Sequence, residues 1–285
     1  MKKLLFLFFV LIISSCTKIE DVIVGDNTFP PDNTIENTII ETYINKLYIS
    51  IIGREPIESE FLSNFYILRE ANLSQESREI VIDGVLNKEE YYDNLFKLEC
   101  EHLLLGLDTA DINQNILVLN ALLTTAQGLD SIYFVDALEK MLKLQEVLPG
   151  LCDGSISNME MHKRMVNNNF YDEINMGAEN FVVSMFQSFM QRYPTLSELE
   201  NGKLMVNDNN ASVFFIPGNS KQDFIDIFIE SEEYYTGQTN ILFNRYLFRD
   251  PISEESVNYS LDYINSQDYK LLQRRILSTN EFIGL

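Results

Sequence analysis

Ile35-Glu36-Asn37-Thr38-Ile39-Ile40-Glu41-Thr42-Tyr43-Ile44-Asn45-Lys46-Leu47-Tyr48-Ile49-Ser50-Ile51-Ile52-Gly53, residues 35–53, is the stretch from which the fold is read. Ile35, Ile39, Ile40, Tyr43, Ile44, Leu47, Tyr48 and Ile51 recur at spacings of three and four, the period that lines one face of an α-helix. Gly53 ends the run where a helix favours a left-handed residue. Similar stripes cover residues 57–70, 76–85, 88–106, 112–127, 131–148, 178–192, 196–205, 221–230, 238–248, 254–264 and 268–278. No series of alternating strands separated by turn dipeptides occurs, so the expected fold is all-α.

An internal repeat refines this reading. Residues 77–92 (Ser-Arg-Glu-Ile-Val-Ile-Asp-Gly-Val-Leu-Asn-Lys-Glu-Glu-Tyr-Tyr) align without gaps on 220–235 (Ser-Lys-Gln-Asp-Phe-Ile-Asp-Ile-Phe-Ile-Glu-Ser-Glu-Glu-Tyr-Tyr). Seven of the 16 positions agree, enough to look for a second landmark. It is a helix break with proline: Gly53-Arg54-Glu55-Pro56, Gln191-Arg192-Tyr193-Pro194 and Phe248-Arg249-Asp250-Pro251. Each has Arg two residues before Pro and Glu four after it, at Glu60, Glu198 and Glu255. Proline suits the first helical turn, where its missing N–H would go unpaired, and the acids favour the helix N-terminus. Thr195 with Glu198 also fits a capping box. The ending Leu277-Ser278-Thr279-Asn280-Glu281-Phe282 repeats the Glu-aromatic close. Helical domains built from helix-turn-helix repeat units are expected, one over residues 34–170 and one over 171–285 with two abutting units.

The order of a Leu- or aromatic-rich helix, Gly-Arg-x-Pro, a second helix and a short helix leading to Ser-x-Glu-aromatic resembles the phycobilisome-linker-type helical domain. The resemblance spans about 47–92 and 186–285, with nothing comparable across 95–175. Gly53 has no counterpart in the second and third copies, and most copies lack the usual Asp-x-x-Gly after Pro. Since relatives in that family are scaffolds and linkers, the resemblance implies an interaction role.

The first residues give an address. Lys2 and Lys3 precede the unbroken apolar run Leu4–Ile13 and then Ser14-Ser15-Cys16, the layout of a signal peptide over 1–15. Ten residues make about 15 Å of helix, too short for a bilayer core that needs roughly 20 residues. Ile13-Ser14-Ser15-Cys16 resembles the lipobox of bacterial lipoproteins, which implies acylation of Cys16, palmitate included. Thr17-Lys18-Ile19-Glu20-Asp21 looks like the signals that send some lipoproteins to the outer face of the outer membrane. Residues 16–33, rich in Asp, Asn, Thr and Pro, read as a lipidated cysteine with a tether.

Removing Lys2 and Lys3 from the 21 basic residues leaves 19 against 43 acidic ones. So acidic a body repels nucleic acid, and no partner of that class is expected. Cys100 and Cys152 remain after Cys16. They can pair, closing a loop that the chain-entropy model credits with roughly 4 kcal/mol, or stay two thiols that never meet.

Catalytic chemistry finds little purchase. The two histidines, His102 and His162, lie 60 residues apart. Glu99 and His102 share a helix face, but a zinc site normally wants three or four converging ligands. There is no nucleophile elbow, zinc-protease helix, phosphate loop or dinucleotide fingerprint, and no catalytic residue, metal or cofactor is assigned. The methionines between Met159 and Met190 read as packing. The segment Asn207–Asn219 interrupts the helical pattern with Val213-Phe214-Phe215-Ile216-Pro217-Gly218, where Phe214 and Phe215 are either a core plug or a partner contact. The expected function is a non-catalytic, lipid-anchored binding or scaffold protein at the outer membrane, on the cell surface rather than the periplasmic face. It would hold the membrane through Cys16 and recognise a protein or surface ligand. The alternative is a glycan or cell-wall hydrolase using paired carboxylates.

Overall fold

The computed structural model describes residues 36–285; the leader, Cys16 and the tether lie outside the described residues. Helices α1 (Asn37–Ile52), α2 (Glu58–Glu70), α3 (Gln75–Leu86) and α4 (Glu89–Leu103) come first. A helical hairpin of α5 (Thr109–Leu123) and α6 (Leu129–Gln145) follows, then the short α7 (Val147–Asp153), α8 (Asn158–Val166) and α9 (Asn169–Ile174). Next, α10 (Ala178–Met190) and α11 (Leu196–Val206) lead to strands β1 (Ala211–Val213) and β2 (Ile216–Gly218). The chain closes with α12 (Lys221–Ile229), α13 (Glu232–Leu247), α14 (Ser253–Ser266), α15 (Tyr269–Leu277) and α16 (Asn280–Ile283). The fold is all-α, with one two-stranded antiparallel ribbon.

The stripe that opens the chain behaves as its spacing demands. Ile40, Tyr43, Ile44, Leu47, Tyr48 and Ile51 are buried, and Gly53 caps α1 at φ 81°, its N–H reaching the carbonyls of Tyr48 and Ile49. Side chains of Ser74, Asp108, Ser157, Asn168, Thr195, Ser220, Ser231, Asp268 and Thr279 accept backbone N–H groups at helix starts, satisfying donors that have no partner within the helix. Ser77 differs from its aligned partner Ser220: α3 begins at Gln75 with Ser74 as its cap, so Ser77 lies inside the first turn.

The proline breaks share one geometry. Pro56, Pro194 and Pro251 each stand one residue ahead of the helix cap rather than in the first turn, since α2, α11 and α14 begin two residues later. The residue before each arginine is left-handed, Gly53 at φ 81°, Gln191 at 53° and Phe248 at 57°. The second and third breaks therefore keep the conformation without the glycine. Each arginine holds two carboxylates. Arg54 donates to Glu60 (2.8 Å) and Glu90 (2.6 Å), Arg192 to Glu198 (2.7 Å) and Glu233 (2.7 Å), and Arg249 to Glu255 (2.7 Å) and Glu281 (2.6 Å). The nearer glutamate also accepts the N–H of the cap residue, Ile57, Thr195 or Ile252. Each guanidinium lies over the ring six residues before it, Tyr48, Phe186 or Phe243. Planar, bidentate pairing of this kind suits arginine and not lysine.

The described residues form one compact unit. Helices from both sides of residue 170 meet in it: Tyr43 donates to the Leu277 carbonyl, Lys46 to that of Phe282 at 2.8 Å, and Arg78 to that of Ser278 at 3.0 Å. The core is rich in aromatic edges, with Phe186, Phe189, Phe224, Phe228 and Tyr234 in mutual ring contact. Gly237 on α13 is the closest crossing: a Cβ there would sit 1.9 Å from the Phe189 carbonyl oxygen of α10.

Candidate functional site

The segment that breaks the helical pattern is a β-hairpin. Val213 pairs with Ile216, leaving Phe214 and Phe215 as a two-residue turn. Both have positive φ, 52° and 65°, as a type I′ turn requires. Asn-Gly is the usual choice there, and bulky residues in this region store strain. The two rings part company. Phe214 packs 6.0 Å from the rings of both Phe186 and Phe228, whereas Phe215 is fully exposed at 103%. The two neighbours thus differ: Phe214 anchors the turn and Phe215 points outward. Val213, at the end of β1, is buried in the same core.

A second group reaches from the core to the surface. Glu99 on α4 faces His162 on α8, Oε2 to Nε2 3.3 Å, and Arg245 on α13 at 3.4 Å. The His162 Nδ1 meets the Tyr234 hydroxyl at 2.8 Å. Burial pushes the Glu99 carboxyl up, but His162, Arg245 and His102 outweigh it and hold it at about 2. His162 is 1% exposed, and the group joins three helices. His102 does not join it; its ring lies on the surface beside the Ser188 carbonyl.

A charged cleft of about 630 Å³ opens between α6, α8 and α12, where Lys140, Lys143, Lys163, Arg164 and Lys221 converge. Four of its five acids are engaged by these cations: Asp136 by Lys140, Glu139 by Lys143, Glu160 by Arg164 and Asp226 by Lys163, at 2.7–2.9 Å; Asp208 also lines it. Burial lowers the Lys221 ammonium below its ordinary value, and Asp172 opposes that shift. The sequence reading missed this place, because its five cations are scattered over residues 140–221 and only the packing of three helices brings them together.

Cys100 and Cys152 are free thiols, the first buried and the second exposed. Burial pushes Cys100 up to about 12, which leaves it unreactive. Cys152 lies near Glu89 and Asp93, toward the opposite end of α4. Among the described residues no group of three or more His, Cys, Asp or Glu is placed to hold a metal ion, and no helix is long and apolar enough to cross a membrane. No family model matches the chain, and neither a curated protein nor a solved structure is found to be similar to it.

Proposed function

We propose that the chain is a lipid-anchored, non-catalytic binding or scaffold protein of the outer membrane, displayed at the cell surface as an accessory of a larger assembly. The observation that carries the binding role is Phe215, a fully exposed ring on a turn whose backbone disfavours it. Nothing in folding calls for phenylalanine there, since glycine would occupy the same backbone at less cost. A large exposed ring can fill a pocket of a partner, as the buried aromatic anchors of interfaces do. The lipobox-like Ile13-Ser14-Ser15-Cys16 supports the anchor, and the linker-type resemblance supports the scaffold.

The full-length protein in its native membrane provides the test. A photoreactive phenylalanine analogue at position 215 should trap one discrete partner, and Cys16→Ser should abolish both acylation and that adduct. Normal processing and full membrane attachment of Cys16→Ser would overturn the anchor. An absence of any specific adduct at 215 would overturn the binding role.

A further inference from the structure

The charged cleft gathers five of the chain's 21 basic residues: Lys140 and Lys143 from α6, Lys163 and Arg164 from the last turn of α8, and Lys221 from the start of α12. Each is partnered, but cations and acids are placed differently. The side chains of Lys140, Lys163, Arg164 and Lys221 are 17–27% exposed, whereas the carboxylates that hold them, on Asp136, Glu146, Glu160, Asp172, Asp226 and Glu230, are 40–68% exposed. The cations are enclosed and the acids stand at the rim. Pairing also leaves donors over. Lys140 and Lys221 have three N–H groups and, among the described residues, one carboxylate each. Arg164 spends Nε and Nη1 on Glu160, Glu146 and the Lys143 carbonyl, which leaves Nη2. Every side chain lining the cleft is polar or charged.

We propose that this cleft binds a phosphorylated sugar or polyol, its phosphoryl group among the enclosed cations and its hydroxyls against the rim carboxylates. A phosphoryl group offers several oxygens that accept N–H bonds, and ammonium and guanidinium donors with N–H groups to spare are its usual partners. The carboxylates select the rest of the ligand. They only accept hydrogen bonds, so hydroxyl groups satisfy them, while an acidic polymer with a charge at every unit would meet them as repulsion. An apolar ligand finds nothing to pack on, since the lining is polar throughout. The cleft volume, about 630 Å³, lies within the roughly 300–1,000 Å³ of small-ligand sites. The charge of −22 on the chain does not exclude an anion here, because exposed charges beyond about 8 Å are largely screened at physiological salt and the enclosed cations act at contact. Lys140 adds to burial in lowering the Lys221 ammonium, so the two cations already feel one another, and an anion between them relieves that repulsion.

This inference rests neither on Phe215 nor on the lipid anchor, and its test reads neither. Full-length protein in detergent is titrated by calorimetry, at physiological salt, with glucose 1-phosphate, glucose, inorganic phosphate and the water-soluble dioctanoyl phosphatidylinositol 4-phosphate. Glucose 1-phosphate should bind with a Kd below about 1 mM, at least roughly tenfold tighter than glucose or phosphate alone. Lys221→Gln should weaken it by about tenfold or more, and so should Lys140→Gln, which removes one pair within its own helix and should keep the thermal midpoint within about 2 °C. Asp136→Asn should narrow the preference for glucose 1-phosphate over phosphate. Tighter binding of the dioctanoyl lipid than of glucose 1-phosphate would support the site and make a lipid headgroup its source, and the reverse order would support it with a free sugar phosphate. Glucose or phosphate binding as tightly as glucose 1-phosphate would overturn the proposal. So would affinity unchanged in Lys140→Gln, or no heat from any of the phosphorylated probes up to about 10 mM.

Discussion

Phe214 and Phe215 are adjacent, share the same left-handed backbone, and meet opposite surroundings: one ring rests on Phe186 and Phe228, and the other is fully exposed among the described residues. That division predicts a matching division in stability. Phe214→Ala should destabilise the protein by about 2–3 kcal/mol, below the roughly 3–5 kcal/mol of a fully buried phenylalanine because its ring is only partly enclosed. Phe215→Gly should raise stability by about 1 kcal/mol, since glycine relieves the turn. Urea unfolding of the two variants checks both signs, and a destabilised Phe215→Gly would show that the exposed ring has a structural role.

Gly237 should tolerate no side chain. The methyl of Gly237→Ala would have to occupy space 1.9 Å from the Phe189 carbonyl oxygen and 3.0 Å from the Met190 Cα, so α10 and α13 must separate. The expected cost is about 3 kcal/mol, at the upper end for overpacking. A denaturation midpoint equal to that of the wild type would mean the crossing is looser than described.

Phe248→Gly should act in the other direction. Phe248 ends α13 at φ 57° with its ring 82% exposed, so glycine removes backbone strain and forfeits few contacts. A gain of about 1 kcal/mol, or roughly 2–4 °C in Tm, is expected. Calorimetry of the single variant decides it.

Acid should unfold the protein through its paired glutamates. Hydrogen bonds from Arg54 and Arg192 hold Glu60 and Glu198 at about 2, and Arg249 lowers Glu255 and Glu281. Glu99 is held at about 2 within the core. Each folded value lies below the ordinary 4.5, so the unfolded chain takes up protons first as pH falls. The stabilisation is complete above about pH 5 and is lost as pH drops from about 4.5 toward 2. Glu60→Gln and Glu198→Gln should each flatten part of that slope. Stability measured by urea at a series of pH values tests it, and a flat profile across this window would contradict the pairing.

The local order of the chain was legible in residue spacing and type. The three-and-four stripes marked the helices, and Ser, Thr and Asp stood at their starts because a short side-chain oxygen reaches the unpaired N–H groups there. Arg two before Pro and Glu four after it were visible as a pattern, since both fall within one turn of the break. Residues 147–174 gave no comparable signal: three helices of seven, nine and six residues follow one another there with short breaks, and their buried residues line no continuous stripe. Other features depended on packing. The repeat aligned Glu90 with Glu233 and ended on Glu281, but only the return of the chain shows that each is the second carboxylate of an arginine 36, 41 or 32 residues away. Glu99 and His102 look like partners in the sequence, yet tertiary burial turns Glu99 to His162 and Arg245 and leaves His102 outside. Phe214 and Phe215 are identical as letters. A ribbon two residues wide at its turn sends successive side chains to opposite surroundings, and the core formed by Phe186 and Phe228 had to exist before one of them could be inside.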